Sequence, residues 1–209
     1  MIARAPCRPW PFTAAILTGG RSSRMGMPKA AMRLPDGRSM AERTRDMLRA
    51  VCHDIVFLGD PHGVAGHDRI DDLRVDAGPL AAIEALLASG RAPQYLVVPC
   101  DLPLLPSALL LRLIEGDPHG LTCFDFADEP GPRPLPCRIA GSRLADVTRR
   151  LDDGDRALRR LVDGLGAATT RVRLADRESE LLLNVNTPED FERACRRLGK
   201  PRDPDSGAG

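Results

Sequence analysis

A glycine-rich loop that carries cations follows the first apolar segment of the chain. The segment 14–29, AAILTGGRSSRMGMPK, runs from an apolar stretch into Gly19-Gly20 and then presents three cations, among them Arg24 and Lys29. Glycines let the backbone approach a ligand, exposed N–H groups point at oxygens and cations neutralise charge, so the loop suits a polyphosphate. It matches neither the G-x-x-x-x-G-K-[ST] nor the G-x-G-x-x-G pattern. An ordinary strand-to-helix turn with solvated arginines is the alternative.

Polar residues follow two further apolar segments. Asp101 comes after the apolar run 95–98 and is a candidate magnesium ligand, because Mg²⁺ takes one or two carboxylates and completes its shell with waters and phosphates. The alternative for Asp101 is a helix N-cap. Lys29 is either a solvated lysine or the charge that stabilises a transferring phosphoryl group. Asn184 and Asn186 would point the same way on an extended strand, or would shape the turn before a final helix.

The remaining pattern alternates strand-like and helix-like segments. Apolar runs predict strands at 14–17, 55–58, 95–98, 121–124, 170–174 and 181–185. Capping residues, N1 prolines and amphipathic spacing predict helices at 39–51, 79–90, 107–115, 142–151, 155–165 and 187–198. The stretch 125–136 is rich in proline and acid and is typical of a long loop, the kind that often serves as a lid.

This alternation predicts an α/β fold, a single Rossmann-like domain with a mostly parallel sheet and helices on both faces. We expect the domain to span 12–198, followed by a disordered tail at 199–209. Ligands of such sheets bind at the carboxyl ends of strands. The glycine-rich loop, Asp101 and the two asparagines all fall at predicted strand ends, so we expect them to form one site.

Composition excludes several classes of protein. A formal net charge of +1 and an aromatic content of 3% argue against a nucleic-acid partner, which calls for a basic excess and stacking platforms. The six cysteines are far apart without a C-x-x-C pair, which favours reduced thiols over a zinc site or a disulfide framework. No stretch approaches 18 apolar residues, so we expect no membrane span. These features predict a soluble, cytoplasmic protein.

Four motifs occur in order along the chain: LTGGRSSRMGMPK at 17–29, AGPLAAI at 77–83, VVPCDLPLL at 97–105 and NVNTPEDF at 184–191. Together they resemble the molybdenum cofactor guanylyltransferases, which belong to the nucleotidyltransferases with a GT-A-like Rossmann fold. Two further segments, PLPCRI at 134–139 and GDRALRRL at 154–161, are also similar to that family.

The resemblance implies transfer of GMP from GTP to the terminal phosphate of molybdopterin-bound molybdenum, with Mg²⁺ as cofactor and pyrophosphate as product. It implies that Asp101 holds the magnesium ion and touches GTP, and that Asn184 and Asn186 lie near the pterin substrate. One aspartate ahead of the Gly-Pro-Leu motif would contact the nucleotide, and loop length leaves Asp71 and Asp72 both open. The implied nucleotide-binding positions are Leu17, Thr18, Gly19, Gly20, Lys29, Asp71 or Asp72, and Asp101.

The chemistry agrees with this resemblance. Attack of a phosphate oxygen on the α-phosphate of GTP brings two anions together, so the protein must mainly position and neutralise them. Lys29, Arg24, the loop amides and magnesium on Asp101 suffice, and no general base is needed because the attacking phosphate is already ionised. Transient contact with molybdoenzymes or other cofactor-biosynthesis proteins would fit this role.

Two other functions stay open on the sequence. One is a cytidylyltransferase for the same pterin, although those enzymes tend to carry Ala-Gly in place of Gly19-Gly20. The other is a catalytically idle nucleotide-binding partner of a molybdoenzyme, which would not need both Lys29 and Asp101. The chain also departs from the guanylyltransferase pattern at Ala82, where glycine is usual, and at Leu58, where some members place asparagine.

Overall fold

Seven strands form one sheet in the residues that the computed structural model describes, 12–19, 27–64, 68–126 and 131–199. The strands are β1 Phe12–Leu17, β2 Ile55–Leu58, β3 Asp68–Ile70, β4 Gln94–Pro99, β5 Leu121–Phe126, β6 Arg133–Ala140 and β7 Thr169–Leu174. Their order is β3-β2-β1-β4-β6-β5-β7. Only β6 runs antiparallel to its neighbours, β4 and β5, so the predicted mostly parallel sheet is confirmed.

The helices are α1 Met40–Leu48, α2 Pro79–Ala88, α3 Ser107–Ile114, α4 Leu144–Asp152, α5 Leu158–Leu165, α6 Asp176–Ser179 and α7 Pro188–Leu198. Short 3₁₀ turns occur at Lys29–Ala31, Gly141–Arg143, Gly166–Ala168 and Glu180–Leu182. Within the described part of the chain, none of these helices has the length and apolar character needed to cross a bilayer.

Helices cover both faces of the sheet because the central strands alternate their side chains between two cores. Ile16 of β1 packs in one core with buried residues of α1 and α3. Its neighbour Leu17 packs in the other core with residues of α2, α4 and α5. Every residue of β1 is buried, as expected for a parallel strand covered on both sides.

Local capping signals fix the helix starts that the sequence predicted. Ser39 and Glu42 form a reciprocal capping box at α1, which satisfies two backbone donors of the first turn. Pro79 occupies the first turn of α2. Thr187 accepts a hydrogen bond from the Asp190 amide at the start of α7.

Several sequence predictions are wrong in detail. The predicted loop 125–136 is partly strand, since β5 extends to Phe126 and β6 begins at Arg133. The prolines of β6 concealed that strand, but Pro134 and Pro136 fall where the register with β5 is irregular, so they interrupt no regular ladder. The edge strand β3 was missed because Asp68–Ile70 is short and mostly exposed.

The predicted strand 181–185 is also wrong. Leu181 and Leu182 belong to the 3₁₀ turn Glu180–Leu182 that follows α6, and residues 183–186 are irregular. A short apolar run does not distinguish a strand from a buried helical turn. Of the five residues 181–185, Leu182 and Val185 are buried. Helices α4 and α5 begin two and three residues later than predicted.

Candidate active site

The carboxyl ends of three neighbouring strands bring three chain segments to one edge. Leu17 is in register with Leu58 of β2 and Pro99 of β4, so the residues that follow these strands lie side by side. The amide and the hydroxyl of Thr18 both donate to the Leu58 carbonyl, at 3.1 and 3.0 Å. The Cys100 amide donates to the Leu17 carbonyl at 3.0 Å. The start of the first loop is thereby fixed against β2 and β4.

Gly59 allows this close approach. Its φ is +92°, and a Cβ there would lie 3.2 Å from the Gly19 nitrogen and 3.3 Å from the Thr18 hydroxyl. A side chain would therefore be strained and would push the first loop away. The positive φ of Gly59 becomes visible only in the fold.

Lys29 joins the first loop to two distant parts of the chain. Its Nζ lies 3.2 Å from Asp101 Oδ2 and 2.6 Å from Asn186 Oδ1, so it donates to both. The Val185 amide donates to the Asp101 carbonyl at 2.9 Å, which holds the segment before α7 against the end of β4. Three residues that the sequence singled out thus form one hydrogen-bonded group.

Asp101 is a carboxylate in a largely buried setting. Burial raises its pKa above the ordinary value of 3.8, and the charge and hydrogen bond of Lys29 act in the opposite direction. Oδ1 is buried and has no hydrogen-bond partner among the residues that the structure describes. Asp101 is not the N-cap of α3, which begins at Ser107 after Pro106. An unpartnered buried carboxylate oxygen suits a cation.

Two cavities meet at this edge and share Leu17, Gly19 and Pro79. The first, which we call the Asp72 cavity, has a volume of about 530 Å³. The second, the Asp101 cavity, has a volume of about 380 Å³. The Asp72 cavity is also lined by Leu58, Gly59, Asp72, Asp76, Gly78 and Ala82. The Asp101 cavity is also lined by Thr18, Lys29, Pro99, Cys100, Asp101, Leu102, Arg133, Pro134, Leu135 and Asn184.

The structure separates the two aspartates that the sequence left open. Asp72 lines the first cavity, whereas Asp71 is bound by Arg69 at 2.6 Å and its side chain is 72% exposed. Burial, followed by the neighbouring charge of Asp71, raises the pKa of Asp72. Asp72 is therefore the candidate for contact with a ligand in this cavity.

Asn184 and Asn186 reach the site by different routes and do not lie on a strand. Asn184 lines the Asp101 cavity, and its buried Oδ1 has no partner within the described ranges. The side-chain oxygen of Asn186 accepts a hydrogen bond from Lys29, and the backbone amide of Asn186 donates to Asp190 Oδ2 at 3.0 Å. The start of α7 therefore orients Asn186, while Asn184 faces the cavity.

Comparison with known proteins agrees with this geometry. Residues 14–172 match the MobA-like NTP transferase domain. The chain belongs to the MobA-like NTP transferase family. A molybdenum cofactor guanylyltransferase of Xanthomonas euvesicatoria pv. vesicatoria is 35% identical over 189 residues, covering 89% of this chain and 94% of that protein. One of Desulfosudis oleivorans is 30% identical over 189 residues, covering 87% and 93%.

A solved structure supports the fold of this MobA-like enzyme. Molybdopterin-guanine dinucleotide biosynthesis protein A from Archaeoglobus fulgidus superimposes with a TM-score of 0.75 at 24% identity, covering 90% of this chain and 100% of that one. The chain is thus a nucleotidyltransferase with one α/β sheet. Gly20 and Arg24, predicted to act in the first loop, lie outside the described residues.

Residues of β6 line the candidate site of this MobA-like enzyme, although no role was predicted for them from the sequence. Arg133 and Leu135 line the Asp101 cavity, and the Arg133 guanidinium lies 4.8 Å from the centre of the Phe126 ring. The only sequence signal was the resemblance of the segment 134–139 to the family. Because 125–136 was predicted to be a loop, the side chains of Arg133 and Leu135 could not be assigned to the sheet edge.

Proposed function

We propose that this MobA-like enzyme transfers GMP from GTP to the terminal phosphate of molybdopterin-bound molybdenum. The observation that carries the proposal is the Lys29–Asp101 pair. It lines the Asp101 cavity, proposed for the acceptor, which meets the Asp72 cavity, proposed for the donor nucleotide, at Leu17, Gly19 and Pro79. The names of its curated relatives, molybdenum cofactor guanylyltransferases, support this substrate pair.

The Asp72 cavity is the proposed site of the guanine base. Guanine presents adjacent N1–H and N2–H₂ donors, and one carboxylate accepts both. Asp72 supplies such a carboxylate, and the apolar walls Leu58, Pro79 and Ala82 suit the faces of a purine. The backbone of Leu17, Thr18 and Gly19 then leads the triphosphate toward Lys29.

Lys29 and Asp101 are the proposed catalytic residues. An oxygen of the acceptor phosphate forms a bond to the α-phosphorus of GTP, and the bond from that phosphorus to the bridging oxygen of the β-phosphate breaks, which releases pyrophosphate. Lys29 is placed to neutralise the phosphate oxygens. We assign no general base, because the acceptor phosphate is already ionised at neutral pH. Arg24 stays a predicted contributor to this neutralisation.

Nucleotidyltransferases typically use a divalent metal ion, and the residues here fit one. Asp101 Oδ1 is buried and unpartnered among the described residues, and no group of three His, Cys, Asp or Glu side chains occurs in the same part of the chain. This donor set suits Mg²⁺, which needs few protein ligands when phosphates complete its shell. When bound on Asp101, Mg²⁺ would supply positive charge to the phosphates and help to orient them.

The Asp101 cavity is the proposed acceptor site. Asn184 offers both a donor and an acceptor to a pterin edge, and Arg133 offers a charge to a phosphate. Asn186 acts on the acceptor reaction through Lys29, which it contacts directly.

The proposal includes the location and the partners of the enzyme. The five cysteines that the structure describes are free thiols, which supports the predicted cytoplasmic location. Transient contact with molybdoenzymes stays part of the proposal.

Labelled nucleotides test this function. The purified protein is incubated with Mg²⁺, molybdopterin-bound molybdenum and GTP, CTP or ATP labelled at the α-phosphate. We expect the label to enter a dinucleotide from GTP, with release of unlabelled pyrophosphate. Faster transfer from CTP would favour the cytidylyltransferase alternative, and tight GTP binding without any transfer would favour an idle nucleotide-binding partner.

A further inference from the structure

The wall of the Asp72 cavity is a segment with little apolar anchorage. Between β3 and α2, Leu73 is 65% exposed and Val75 is 90% exposed. The alternate side chains turn inward, since Asp72 lines the cavity and Arg74 reaches Glu84 of α2. Something other than hydrophobic burial must therefore hold Asp72 in place.

Arg74 supplies that anchorage through a two-carboxylate network. Its Nε donates to Glu84 Oε2 at 2.7 Å and its Nη2 donates to Glu84 Oε1 at 2.8 Å. Nη2 also lies 2.7 Å from Asp152 Oδ1 at the end of α4. Glu84 is only 4% exposed and lies within α2. A bidentate pair of this kind fixes the orientation of the Arg74 guanidinium as well as its distance from Glu84.

A second arginine holds the same segment from the connection between α4 and α5. Arg156 Nη1 donates to the Asp76 carbonyl at 2.9 Å, at a residue whose φ of +52° is uncommon for a side chain other than glycine. Asp155 beside it is held by Arg150 at 2.9 Å and by Arg160 at 2.8 Å. The segment 154–161, which resembles the family but has no part in the chemistry, thus supports the cavity wall.

We propose that Arg74 is a positioning residue for base selection, which aims Asp72 at the guanine edge by tying the cavity wall to Glu84 and Asp152. This inference rests on the proposed function, because it assumes that the Asp72 cavity binds guanine. Arg74 lies two residues from Asp72, so a loss of its contacts lets the carboxylate turn or withdraw. Selection of a base by hydrogen bonds requires donor–acceptor distances near 3 Å. A small displacement of the Asp72 carboxylate would therefore remove the preference for guanine.

Comparison of GTP with inosine triphosphate, which lacks the 2-amino group, tests the proposal. Both dissociation constants are measured by titration with Mg²⁺ for the wild type, Arg74→Lys, the paired variant Arg74→Gln with Glu84→Gln, and the paired variant with Asp72→Asn added. The paired Gln variant avoids leaving Glu84 buried as an unpaired charge. The control is Arg112→Ala, because Arg112 also binds one carboxylate, Glu178, through two contacts of 3.0 Å but lines neither cavity.

We expect the wild type and Arg112→Ala to prefer GTP over inosine triphosphate by on the order of tenfold, the effect of leaving one polar contact unmade. The paired Gln variant should lose most of this preference, Arg74→Lys should retain part of it, and adding Asp72→Asn to the paired variant should cause no further loss. The KM for the acceptor should stay within about twofold of the wild type, because the change is confined to the base contact.

Two results would overturn different parts of the argument. If the wild type prefers GTP and the paired Gln variant keeps that preference in full, Arg74 does not position Asp72, and the proposed function stands. If the wild type itself does not distinguish GTP from inosine triphosphate or CTP, guanine recognition in the Asp72 cavity is wrong, and the role of Arg74 falls with it.

Discussion

Asp101 is a site residue whose buried charge lowers the stability of the fold. The Asp101 carboxylate is largely buried, keeps only Lys29 as a charged partner among the described residues and has a raised pKa. A raised pKa means that the folded protein favours the neutral acid, so the ionised form lowers the free energy of unfolding at neutral pH. Such a group is retained for what it binds.

Replacement of Asp101 by Asn therefore has opposite effects on activity and stability. We expect Asp101→Asn to lose most turnover, because a neutral amide is a poor magnesium ligand, while its melting temperature equals or exceeds that of the wild type. Turnover and thermal unfolding are measured on the same purified sample. A folded variant with normal turnover would contradict the metal role, and a large fall in melting temperature would contradict the electrostatic argument.

Lys29 should influence both the rate and its pH dependence. Lys29→Ala removes one electrostatic stabiliser, for which a loss in kcat on the order of 10²-fold is expected. It also removes the charge that lowers the pKa of Asp101, so the acidic limb of the residual activity should move to higher pH. Steady-state rates across the acidic range check both effects. A change confined to KM for GTP would mean that Lys29 binds only the ground state.

The two asparagines should give different kinetic defects. Asn186→Ala removes a hydrogen-bond acceptor of Lys29 and should lower kcat by about tenfold, the scale of losing an orienting contact, with GTP affinity preserved. Asn184→Ala should instead raise the KM for the acceptor, because Asn184 faces the Asp101 cavity. Identical defects in both variants would contradict this division of roles.

At the scale of elements, the connection between α4 and α5 is held by one carboxylate. The Arg160 guanidinium, followed by the Ala157 amide, lowers the pKa of Asp155 from 3.8 to about 2. Because the folded protein favours the charged form, Asp155 contributes stability that is fully present above pH 3.8 and is lost as the pH falls through about 2. This connection also supports the wall of the Asp72 cavity.

Acid titration of stability tests the role of Asp155. The urea midpoint of Asp155→Asn should be lower than that of the wild type at neutral pH, and the difference should shrink as the pH falls below 3.8 toward 2. Asp163→Asn is a matched control, because Asp163 pairs with a single arginine, Arg171, at 3.4 Å on the surface. A difference that stays constant with pH would show that charge on Asp155 is not what stabilises the connection.

At the scale of the whole molecule, the proposed ligand joins segments that are distant in sequence. The Asp72 and Asp101 cavities draw on the ends of β1, β2 and β4, on α2, on β6 and on the start of α7. A ligand that binds only the folded protein stabilises it by mass action, by about 2.7 kcal/mol at a concentration of 100 times Kd. Binding of the ligand should therefore raise the temperature of the global unfolding transition.

Thermal unfolding with nucleotides checks this expectation. GTP with Mg²⁺ at a large excess over Kd should raise the melting temperature by several degrees, roughly 2–4 °C for each kcal/mol in a chain of this size. CTP and ATP should raise it less, and a chelator should remove most of the GTP effect. An equal effect of all three nucleotides, or no response to the chelator, would contradict the proposed base and metal contacts.

The sequence by itself determined the features that depend on near neighbours. Strands such as Ile55–Leu58 and the capped starts of α1 and α7 were predicted correctly, because apolar runs and caps act within a few residues. The sheet class and the collection of Gly19, Lys29 and Asp101 at one edge followed from the order of those elements. The predicted tail at 199–209 and the role of Arg24 stay predictions.

Only the tertiary structure decided which neighbours each residue has. It inserted β6 between β4 and β5, chose Asp72 over Asp71 as the cavity residue and placed Asn186 on Lys29, 157 positions away in the chain. It also joined Arg74 to Glu84 and Asp152. Periodicity and spacing carry no information on such pairs, because these contacts depend on strand order and register, which the packing of the whole sheet fixes.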